Sequence, residues 1–249
     1  MYLSYEEINK HIEDKWLVLD IGGADKVFPR ADYVIDLVPY EERNVIYPNE
    51  KERFSKDTWL VGDVCSFEFW SKIEDNFFDF TIASHILEDV RDPIFLCSQI
   101  IRTSKAGYIE VPSKFLECSR LNESNFFSGY DHHRWIITGN DTNTGLNFKA
   151  KLPWVHAEDF LPKQFKNILH DYFYNFDGFF WKGSFTYCEI TSKHMHQEVE
   201  ALHNYFNTEC NNYGKEQKKN IINLVEDSVS KTDGTCVWFD QYESDTNSL

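Results

Sequence analysis

The sequence predicts an α/β fold: a Rossmann-like, doubly wound, mostly parallel seven-stranded sheet with helices on both faces. Short apolar segments of strand length recur along the first half of the chain and alternate with helical patterns. This alternation is typical of a parallel sheet with right-handed crossovers. A Gly-Gly turn follows the first apolar segment, and acidic residues stand at the ends of the first three, which is how such sheets build a ligand pocket.

Size and charge limit the class of protein further. The 249 residues and 42% hydrophobic content suit one α/β domain with additions. A net charge of −16 disfavours nucleic acid and anionic membranes as main partners. No signal peptide is evident, and no apolar run reaches the roughly 18 residues of a membrane span. Six cysteines without metal-ligand spacing indicate reduced thiols, so a cytoplasmic protein without a metal site is predicted.

The elements of the first half follow from local patterns. A helix is predicted over 4–14, because Ser4 and Glu7 fit a capping box. Five apolar runs predict the first five strands, at 16–19, 33–35, 59–61, 77–83 and 107–111. Asp92 and Pro93 begin the helix before the fifth strand, since the locked φ of proline suits the first helical position.

Beyond the fifth strand the alternation ends. Residues 114–161 are predicted to be an insertion, with a small hairpin over 146–161. Residues 165–191 are rich in aromatic side chains and are predicted to supply the last two strands of the sheet. The α/β domain therefore spans 1–192. A charged helical extension and a loosely ordered tail are predicted over 193–249.

The acids at the strand ends are the most informative pattern for function. Asp20, Asp36 and Asp63 close the first three strands, and the carboxyl ends of parallel strands line one crevice where ligands bind. Asp79 opens the fourth strand, so a structural role at the opposite edge is predicted. Three acids suit a ligand with hydroxyls, an amino group and a positive centre. No phosphate-cradling glycine motif is present.

In these segments the chain resembles the class I S-adenosylmethionine (SAM)-dependent methyltransferases. The matching segments are LDIGG at 19–23, Asp36, Gly62-Asp63-Val64, FDFTIASHILEDV at 78–90, Asp92-Pro93 and GYIEVPS at 107–113. The chain looks closest to the methyltransferase type 11-like branch, and to a subgroup associated with glycan and cell-surface biosynthesis. It departs from the pattern in two places: Ala24-Asp25 replace the third glycine, and Asp89 replaces the histidine after Leu-Glu.

The resemblance implies SAM as the cofactor and assigns it a set of binding residues. In order along the ligand, these are Asp20, Gly22 and Gly23 for the methionine part, Asp36 for the ribose, Leu37, Asp63 and Val64 for the adenine, and Ser84 with His85 at the methyl-transfer end.

Methyl transfer to a hydroxyl also needs a base that removes the proton. His133, His132 and His85 are the candidate catalytic residues, because imidazole titrates near neutral pH. His132 and His133 belong to the cluster DHHRW at 131–135, which follows the fifth strand. Two alternatives stay open for this cluster: a polar loop closed by a packed tryptophan, and a divalent metal ion held by Asp131 and one histidine.

The sequence therefore predicts a SAM-dependent methyltransferase, most simply an O-methyltransferase, acting on a small molecule, a sugar or a glycan precursor. The acceptor is expected to bind at the 114–161 insertion. A non-catalytic binding or scaffolding protein of the same fold is the first alternative, motivated by the altered glycine motif. A nucleotide-sugar enzyme with another chemistry is the second. The charged helix over 194–229 could pair with another copy, but no heptad is sustained there, so the oligomeric state stays open.

Overall fold

The structure is a computed structural model that describes residues 5–23, 26–43, 52–120, 126–139, 145–161, 175–191, 195–212 and 235–239. Ser4, with its predicted capping role, lies outside the described residues, as does the Ala24-Asp25 departure. The strand-forming segment predicted from residue 165 is described only from 175 onward. The C-terminal extension is described over 195–212 and 235–239.

Ten β-strands are present in the described part of the chain. They are β1 (Val18–Ile21), β2 (Tyr33–Asp36), β3 (Trp59–Val61), β4 (Phe80–Ser84), β5 (Ala106–Pro112), β6 (Trp135–Gly139), β7 (Gly145–Ala150), β8 (Phe176–Lys182), β9 (Thr186–Thr191) and β10 (Thr235–Phe239). The α-helices described are α1 (Tyr5–Asn9), α2 (Phe67–Trp70), α3 (Pro93–Thr103), α4 (Lys114–Glu117), α5 (Pro153–Ala157) and α6 (Met195–Asn212). Short 3₁₀ helices cover Tyr40–Glu42 and Lys56–Thr58.

The main sheet has six strands in the order β3-β2-β1-β4-β5-β8. β1 pairs in parallel with both β2 and β4, and β5 pairs in parallel with β4. β8 runs antiparallel to β5, with Ile109 opposite Phe179. The predicted Rossmann-like, mostly parallel α/β fold is thus confirmed, and each of the five predicted apolar runs lies in or overlaps one of the strands β1 to β5.

The strand count differs from the prediction of seven, because β9 leaves the main sheet. β9 belongs to a four-stranded sheet in the order β10-β9-β7-β6. Gly183 makes the turn between β8 and β9, with φ of +74° and its N–H donating to the Lys105 carbonyl at 2.7 Å. After this turn β9 pairs with β7, where Gly145 lies opposite Thr186. A Cβ at Gly145 would lie 1.9 Å from the Thr186 carbonyl oxygen, so the glycine allows this pairing.

Capping and burial explain the elements that support the sheet. The Asp92 side chain accepts a hydrogen bond from the Phe95 N–H at 2.8 Å, and Pro93 is the first residue of α3, as predicted. Every residue of β5 is buried, as expected for a central strand covered on both faces. Asp79 lies at the amino edge of the sheet, where it accepts from the Leu17 N–H at 2.9 Å and pairs with Lys105 at 2.7 Å.

Helix α6 packs on the insertion through one apolar face. Leu202, Phe206 and Cys210 are buried at a spacing of four residues, and Phe206 contacts Phe115 and Phe160. The predicted charged helix is therefore present over Met195–Asn212. None of the helices in the described ranges combines the length and apolar character that crossing a membrane requires.

Candidate functional site

The turn after β1 closes around the carboxyl group of Asp20. This side chain is 4% exposed, and its Oδ2 accepts a hydrogen bond from the Phe28 N–H at 2.7 Å. Gly22 has φ of +78°, and its N–H donates to the Ile35 carbonyl at 2.8 Å. A Cβ on Gly23 would lie 2.6 Å from Asp20 Oδ2. Glycine is therefore required at both positions, for its backbone conformation at one and for space at the other.

The ionisation of Asp20 is strongly perturbed. Burial raises its pKa from 3.8 to about 7, the Phe28 N–H opposes this shift, and the negative charge of Asp36 adds to it. Asp20 therefore holds its proton to a much higher pH than an ordinary aspartate does. An acid with such a pKa at the carboxyl ends of the strands is typical of a binding or catalytic site.

The ends of β2 and β3 combine a carboxylate with exposed apolar side chains. Asp36 Oδ1 accepts from the Val38 N–H at 2.8 Å, and its carbonyl accepts from the Gly62 N–H at 2.9 Å. Leu37 is 70% exposed and Val61 is 53% exposed. Val61 is the register partner of Asp36, so these side chains are neighbours at the sheet edge. A carboxylate beside an apolar surface suits a ribose attached to a flat heterocycle.

Asp63, after β3, already has two partners. Its Oδ1 accepts from the Cys65 N–H at 2.8 Å, and its Oδ2 accepts from Arg91 Nη1 at 2.5 Å. Burial opposes ionisation of Asp63, but these two donors lower its pKa overall. Val64 is buried beside it, and its carbonyl accepts from the Trp70 indole N–H at 2.8 Å. Arg91 was outside the predicted site, and it places a positive charge at the predicted adenine end.

The loop after β4 holds His85 between two buried glutamates. His85 Nδ1 lies 3.2 Å from Glu88 Oε1, and Nε2 lies 3.0 Å from Glu110 Oε1. The Ser84 hydroxyl donates to the same Glu110 oxygen at 3.3 Å, and the Tyr108 hydroxyl donates to Glu110 Oε2 at 2.7 Å. The backbone of His85 is left-handed, with φ of +56°. This uncommon conformation is held by bonds to both ring nitrogens.

These contacts keep His85 positively charged. Burial alone would lower its pKa, but the hydrogen bonds and negative charges of Glu110 and Glu88 raise it to about 9. The same contacts hold the pKa of Glu110 below its usual value, although burial opposes them. At neutral pH both ring nitrogens of His85 therefore carry a proton, and each donates to a carboxylate.

The turn after β1 and the loop after β4 are in direct contact. A Cβ on Gly22 would lie 3.0 Å from Ile86 Cδ1, the residue that follows His85. β1 and β4 are adjacent in the sheet, at the point where the strand order reverses. The structure thus joins the predicted residues Asp20, Gly22 and His85 at the topological switch point, where open α/β sheets bind their ligands.

A second group of polar residues lies after β4 and before β6. Asp89 Oδ1 is 3.9 Å from His132 Nε2 and 3.8 Å from His133 Nε2. His133 is buried, and its Nδ1 bonds to Glu117 Oε1 at 2.5 Å. The other oxygen of Glu117 accepts from Lys151 Nζ at 2.5 Å, and both of these side chains are fully buried. The predicted residues His132 and His133 are thus brought together with three charged residues from distant segments.

Backbone hydrogen bonds connect this group to the His85 loop. The Arg134 N–H donates to the Glu88 carbonyl at 2.7 Å, and the Lys151 N–H donates to the Arg134 carbonyl at 2.8 Å. Asp131, the predicted metal partner, has its Oδ1 3.4 Å from His132 Nδ1 and is largely exposed. Asp89 is the carboxylate that faces both histidines. We call Asp89, His132 and His133 the histidine cluster.

Five buried charged residues in the described part of the chain lie outside the predicted set. They are Glu88, Glu110, Glu117, Lys151 and Glu198. The sequence signal for two of them is an acid inside an apolar run: Glu110 interrupts GYIEVP and Glu117 interrupts KFLEC. Such residues are almost never fully buried unless they are paired, so an acid in a buried strand indicates a partner elsewhere.

A cavity of about 200 Å³ lies between β5, β8 and the β6–β7 hairpin. Ile109, Val111, Leu146 and Phe179 provide apolar walls, and Asp177 adds a carboxyl group. Because successive strand side chains alternate between faces, the cavity lies on the opposite face of β5 from Glu110. One wall therefore comes from the insertion that was predicted to bind the acceptor.

Together, the sheet order and the strand-end acids define a Rossmann-like α/β protein, and its candidate ligand site is at the carboxyl ends of the parallel strands. No protein-family model matches the chain, and no match is found among curated proteins.

Solved structures with partial similarity include methyltransferases. The MccD protein is 18% identical with a TM-score of 0.34, over 49% of this chain and 55% of that one. A SAM-dependent methyltransferase from Archaeoglobus fulgidus is 17% identical with a TM-score of 0.33, over 45% and 52%. The N-terminal domain of EvdMO1, in the presence of SAH and D-fucose, is 15% identical with a TM-score of 0.33, over 54% and 57%. The matches span little more than half of these structures, and similarity at this level identifies no substrate.

Proposed function

We propose that this protein is a SAM-dependent methyltransferase that methylates a hydroxyl of a small molecule, a sugar or a glycan precursor. One observation supports this most directly. The buried acid and glycine turn after β1 contacts the His85 loop after β4 through Gly22 and Ile86. A cofactor held by the turn would therefore lie beside polar residues that can receive an acceptor.

The residues at the strand ends fit the chemical parts of SAM. Asp36 offers carboxylate oxygens to the ribose hydroxyls, and exposed Leu37 and Val61 offer an apolar surface to the adenine. Burial raises the pKa of Asp20 to about 7, so a positively charged methionine group beside it would favour its ionised form. We assign Gly22, Gly23, Asp63, Val64 and Ser84 to the same pocket.

SAM, when bound, supplies a methyl group on a positively charged sulfur: the acceptor oxygen bonds to the methyl carbon while the carbon–sulfur bond breaks and its electron pair stays on sulfur. The remaining requirement is that the acceptor hydroxyl loses its proton. His85 does not fit this role, because both of its nitrogens already donate to Glu110 and Glu88. We assign it to positioning the loop after β4.

The histidine cluster is the proposed place where the acceptor hydroxyl is activated. His133 is oriented by Glu117 through Nδ1, so Nε2 faces Asp89 and the partly exposed His132. An imidazole oriented by a carboxylate is a recurring device in hydrolases and metal sites alike. The acceptor would then lie between this cluster and the apolar cavity beside the insertion.

Isothermal titration with S-adenosylhomocysteine tests the cofactor assignment. We expect Asp36→Ala to weaken binding about tenfold or more, because hydrogen bonds to a charged group contribute about 1.5–3 kcal/mol. Asp57→Asn is the matched control, since Asp57 is an exposed acid before β3, at the opposite edge of the sheet. Absence of binding to the wild type at high micromolar concentration, or equal affinity of Asp36→Ala, would contradict the proposal.

The Asp63–Arg91 pair favours one alternative, a non-catalytic binding protein with this fold. Arg91 occupies the Asp63 oxygen that would otherwise be open to an adenine amino group. This alternative predicts that S-adenosylhomocysteine binds Arg91→Ala but not the wild type. The methyltransferase proposal predicts binding to both.

A further inference from the structure

We propose that the histidine cluster, Asp89 with His132 and His133, is a binding site for a divalent metal ion of the zinc type. One carboxylate oxygen and two imidazole nitrogens converge there, with the ligand atoms all within 4.8 Å of one another. The site differs from the predicted combination of Asp131 with one histidine, because the carboxylate comes from the loop after β4.

The distances are close to those of a metal site. Asp89 Oδ1 lies 3.8 Å from His133 Nε2 and 3.9 Å from His132 Nε2. In a tetrahedral zinc site with bonds of about 2.0 Å, neighbouring ligand atoms are about 3.3 Å apart. Small side-chain rotations would bring the three atoms to that spacing.

The buried carboxylate oxygen of Asp89 is the second observation. Asp89 Oδ1 is shielded from solvent and accepts no hydrogen bond within the part of the chain that the structure describes. The atoms that face it are the two imidazole nitrogens, at distances too long for hydrogen bonds. A buried charged oxygen without a donor is costly, and a cation between the three groups would satisfy it.

The contact with Glu117 orients the His133 ring so that its Nε2 atom faces the proposed metal position. Glu117 Oε1 lies 2.5 Å from His133 Nδ1, so Nδ1 carries the proton and the Nε2 lone pair is directed to Asp89. A metal-ligating histidine almost always donates its other N–H to a carboxylate, a carbonyl or water. The Glu117–His133 pair reproduces this arrangement inside the protein.

The supporting residues are themselves fixed. Lys151 Nζ binds Glu117 Oε2 at 2.5 Å and the Tyr130 carbonyl at 3.1 Å. Gly129 has φ of +61°, and a Cβ there would lie 2.6 Å from Lys151 Nζ. The glycine thus leaves room for the lysine, which neutralises Glu117 and holds its other oxygen toward His133.

The ligand set selects the class of metal. Imidazole nitrogens favour zinc and neighbouring transition metals, whereas magnesium and calcium prefer oxygen ligands. Three protein ligands leave a tetrahedral ion with one open position, which is typical of catalytic zinc. The His132 side chain is 56% exposed, so the open position faces solvent.

The role of this metal rests on the proposed methyltransferase function, although its binding does not. An acceptor hydroxyl at the open position would release its proton to solvent water more easily, since a bound cation stabilises the oxyanion that remains. Activation would then come from the metal, with His132 and His133 as ligands.

Cobalt absorption and zinc titration test the site directly. The full-length chain is stripped with a chelator, and Co²⁺ is added while the visible spectrum is recorded. We expect one equivalent to bind with the intense absorption of low-coordinate cobalt, and Zn²⁺ to displace it. Asp89→Asn and His132→Asn should each weaken Zn²⁺ binding by at least the roughly 10–100-fold seen when an outer partner of a metal ligand is lost.

His203→Asn is the matched control. His203 belongs to helix α6, and its Nε2 lies 3.6 Å from Glu158 Oε1. This variant therefore removes a histidine–carboxylate pair that is not part of the histidine cluster. Its zinc affinity should equal that of the wild type. His132 is largely exposed, so His132→Asn should fold normally even if Asp89→Asn does not.

The outcomes separate this proposal from the methyltransferase proposal. No stoichiometric binding of Co²⁺ or Zn²⁺, or equal affinity in wild type and His132→Asn, would overturn the metal site. Zinc binding that depends on the cluster, in a protein that does not bind S-adenosylhomocysteine, would support the metal site and reject the methyltransferase. Binding of S-adenosylhomocysteine without metal binding would give the reverse result.

Discussion

The two halves of the candidate site are built in different ways. On the proposed cofactor side, Asp20, Asp36 and Asp63 each stand at the end of a strand, and each accepts a hydrogen bond from a backbone N–H two to eight residues further along the chain. On the proposed acceptor side, Asp89, Glu117 and Lys151 come from three separate segments of the chain. The first and the last of these residues are 62 positions apart in the sequence. The first half uses local backbone geometry, and the second uses buried charges that neutralise one another.

The two halves also differ in how their buried acids are stabilised. The Asp20 carboxyl is buried, and among the described residues no cation is in hydrogen-bond contact with it, so its charge is disfavoured and burial raises its pKa to about 7. Glu117 is equally buried but is bonded to Lys151 and His133. The cofactor side therefore has a charge that a ligand could satisfy, while Glu117 on the acceptor side depends on partners that are already present.

The largest expected effect concerns the buried Lys151–Glu117 pair. Lys151→Met should lower the free energy of unfolding by about 3–5 kcal/mol, because it leaves Glu117 buried without its cation. Adding Glu117→Gln should recover part of the loss. Lys105→Met is the matched control, since the Lys105 side chain is 57% exposed and its pair with Asp79 should contribute less than about 1 kcal/mol. Urea unfolding of the four proteins measures these differences, and equal losses for the two lysines would refute the comparison.

The second-largest expected effect concerns Asp20, the buried acid in the turn after β1. The folded-state pKa of Asp20 is raised, so its contribution to stability is present below pH 3.8 and is lost as pH rises toward 7. Asp20→Asn keeps an oxygen for the Phe28 N–H and removes this loss. Relative to the wild type, the variant should therefore gain about 2 kcal/mol between pH 5 and pH 7. A difference that stays constant with pH would show that the Asp20 charge is already compensated.

The smallest expected effect concerns His85, in the loop after β4. His85 also has a raised folded-state pKa, so its stabilising pairs are fully present below pH 6.5 and are lost as pH rises through about 9. His85→Gln should lower stability by about 1–2 kcal/mol at pH 6, after a discount for its partial exposure. The deficit should shrink above pH 9, where the wild type loses the same interaction. A deficit of equal size at pH 6 and pH 10 would indicate a purely steric role.

The same contrast explains what could be predicted from the sequence. Strands β1 to β5, the Asp92 cap and the strand-end acids follow from apolar runs and turn residues, because their determinants lie within a few positions. Asp79 was correctly predicted to be structural, since it precedes its strand. The roles assigned to individual cofactor residues remain predictions.

Long-range pairing could not be predicted in this way. The segments that form β8 and β9 both carry aromatic side chains, and the turn at Gly183 and the register with Gly145 send β9 to the second sheet. Glu117 interrupts an apolar run, but nothing in the sequence identifies Lys151 as its partner until the fold places them in contact. Their identity as partners depends on the tertiary structure.

The contacts of the loop after β4 also have a consequence for how this protein could change over time. Ile86 supports the glycine turn, Glu88 anchors Arg134, and Asp89 faces the histidines. A substitution in this loop would disturb both halves together, so it should be rare among functional variants. Phe126 and Phe127, in the insertion, are exposed, and under the proposed function new acceptor preferences would arise most readily there. In a library screened for altered substrates, we expect tolerated changes to accumulate at these two positions and to be depleted over 85–89.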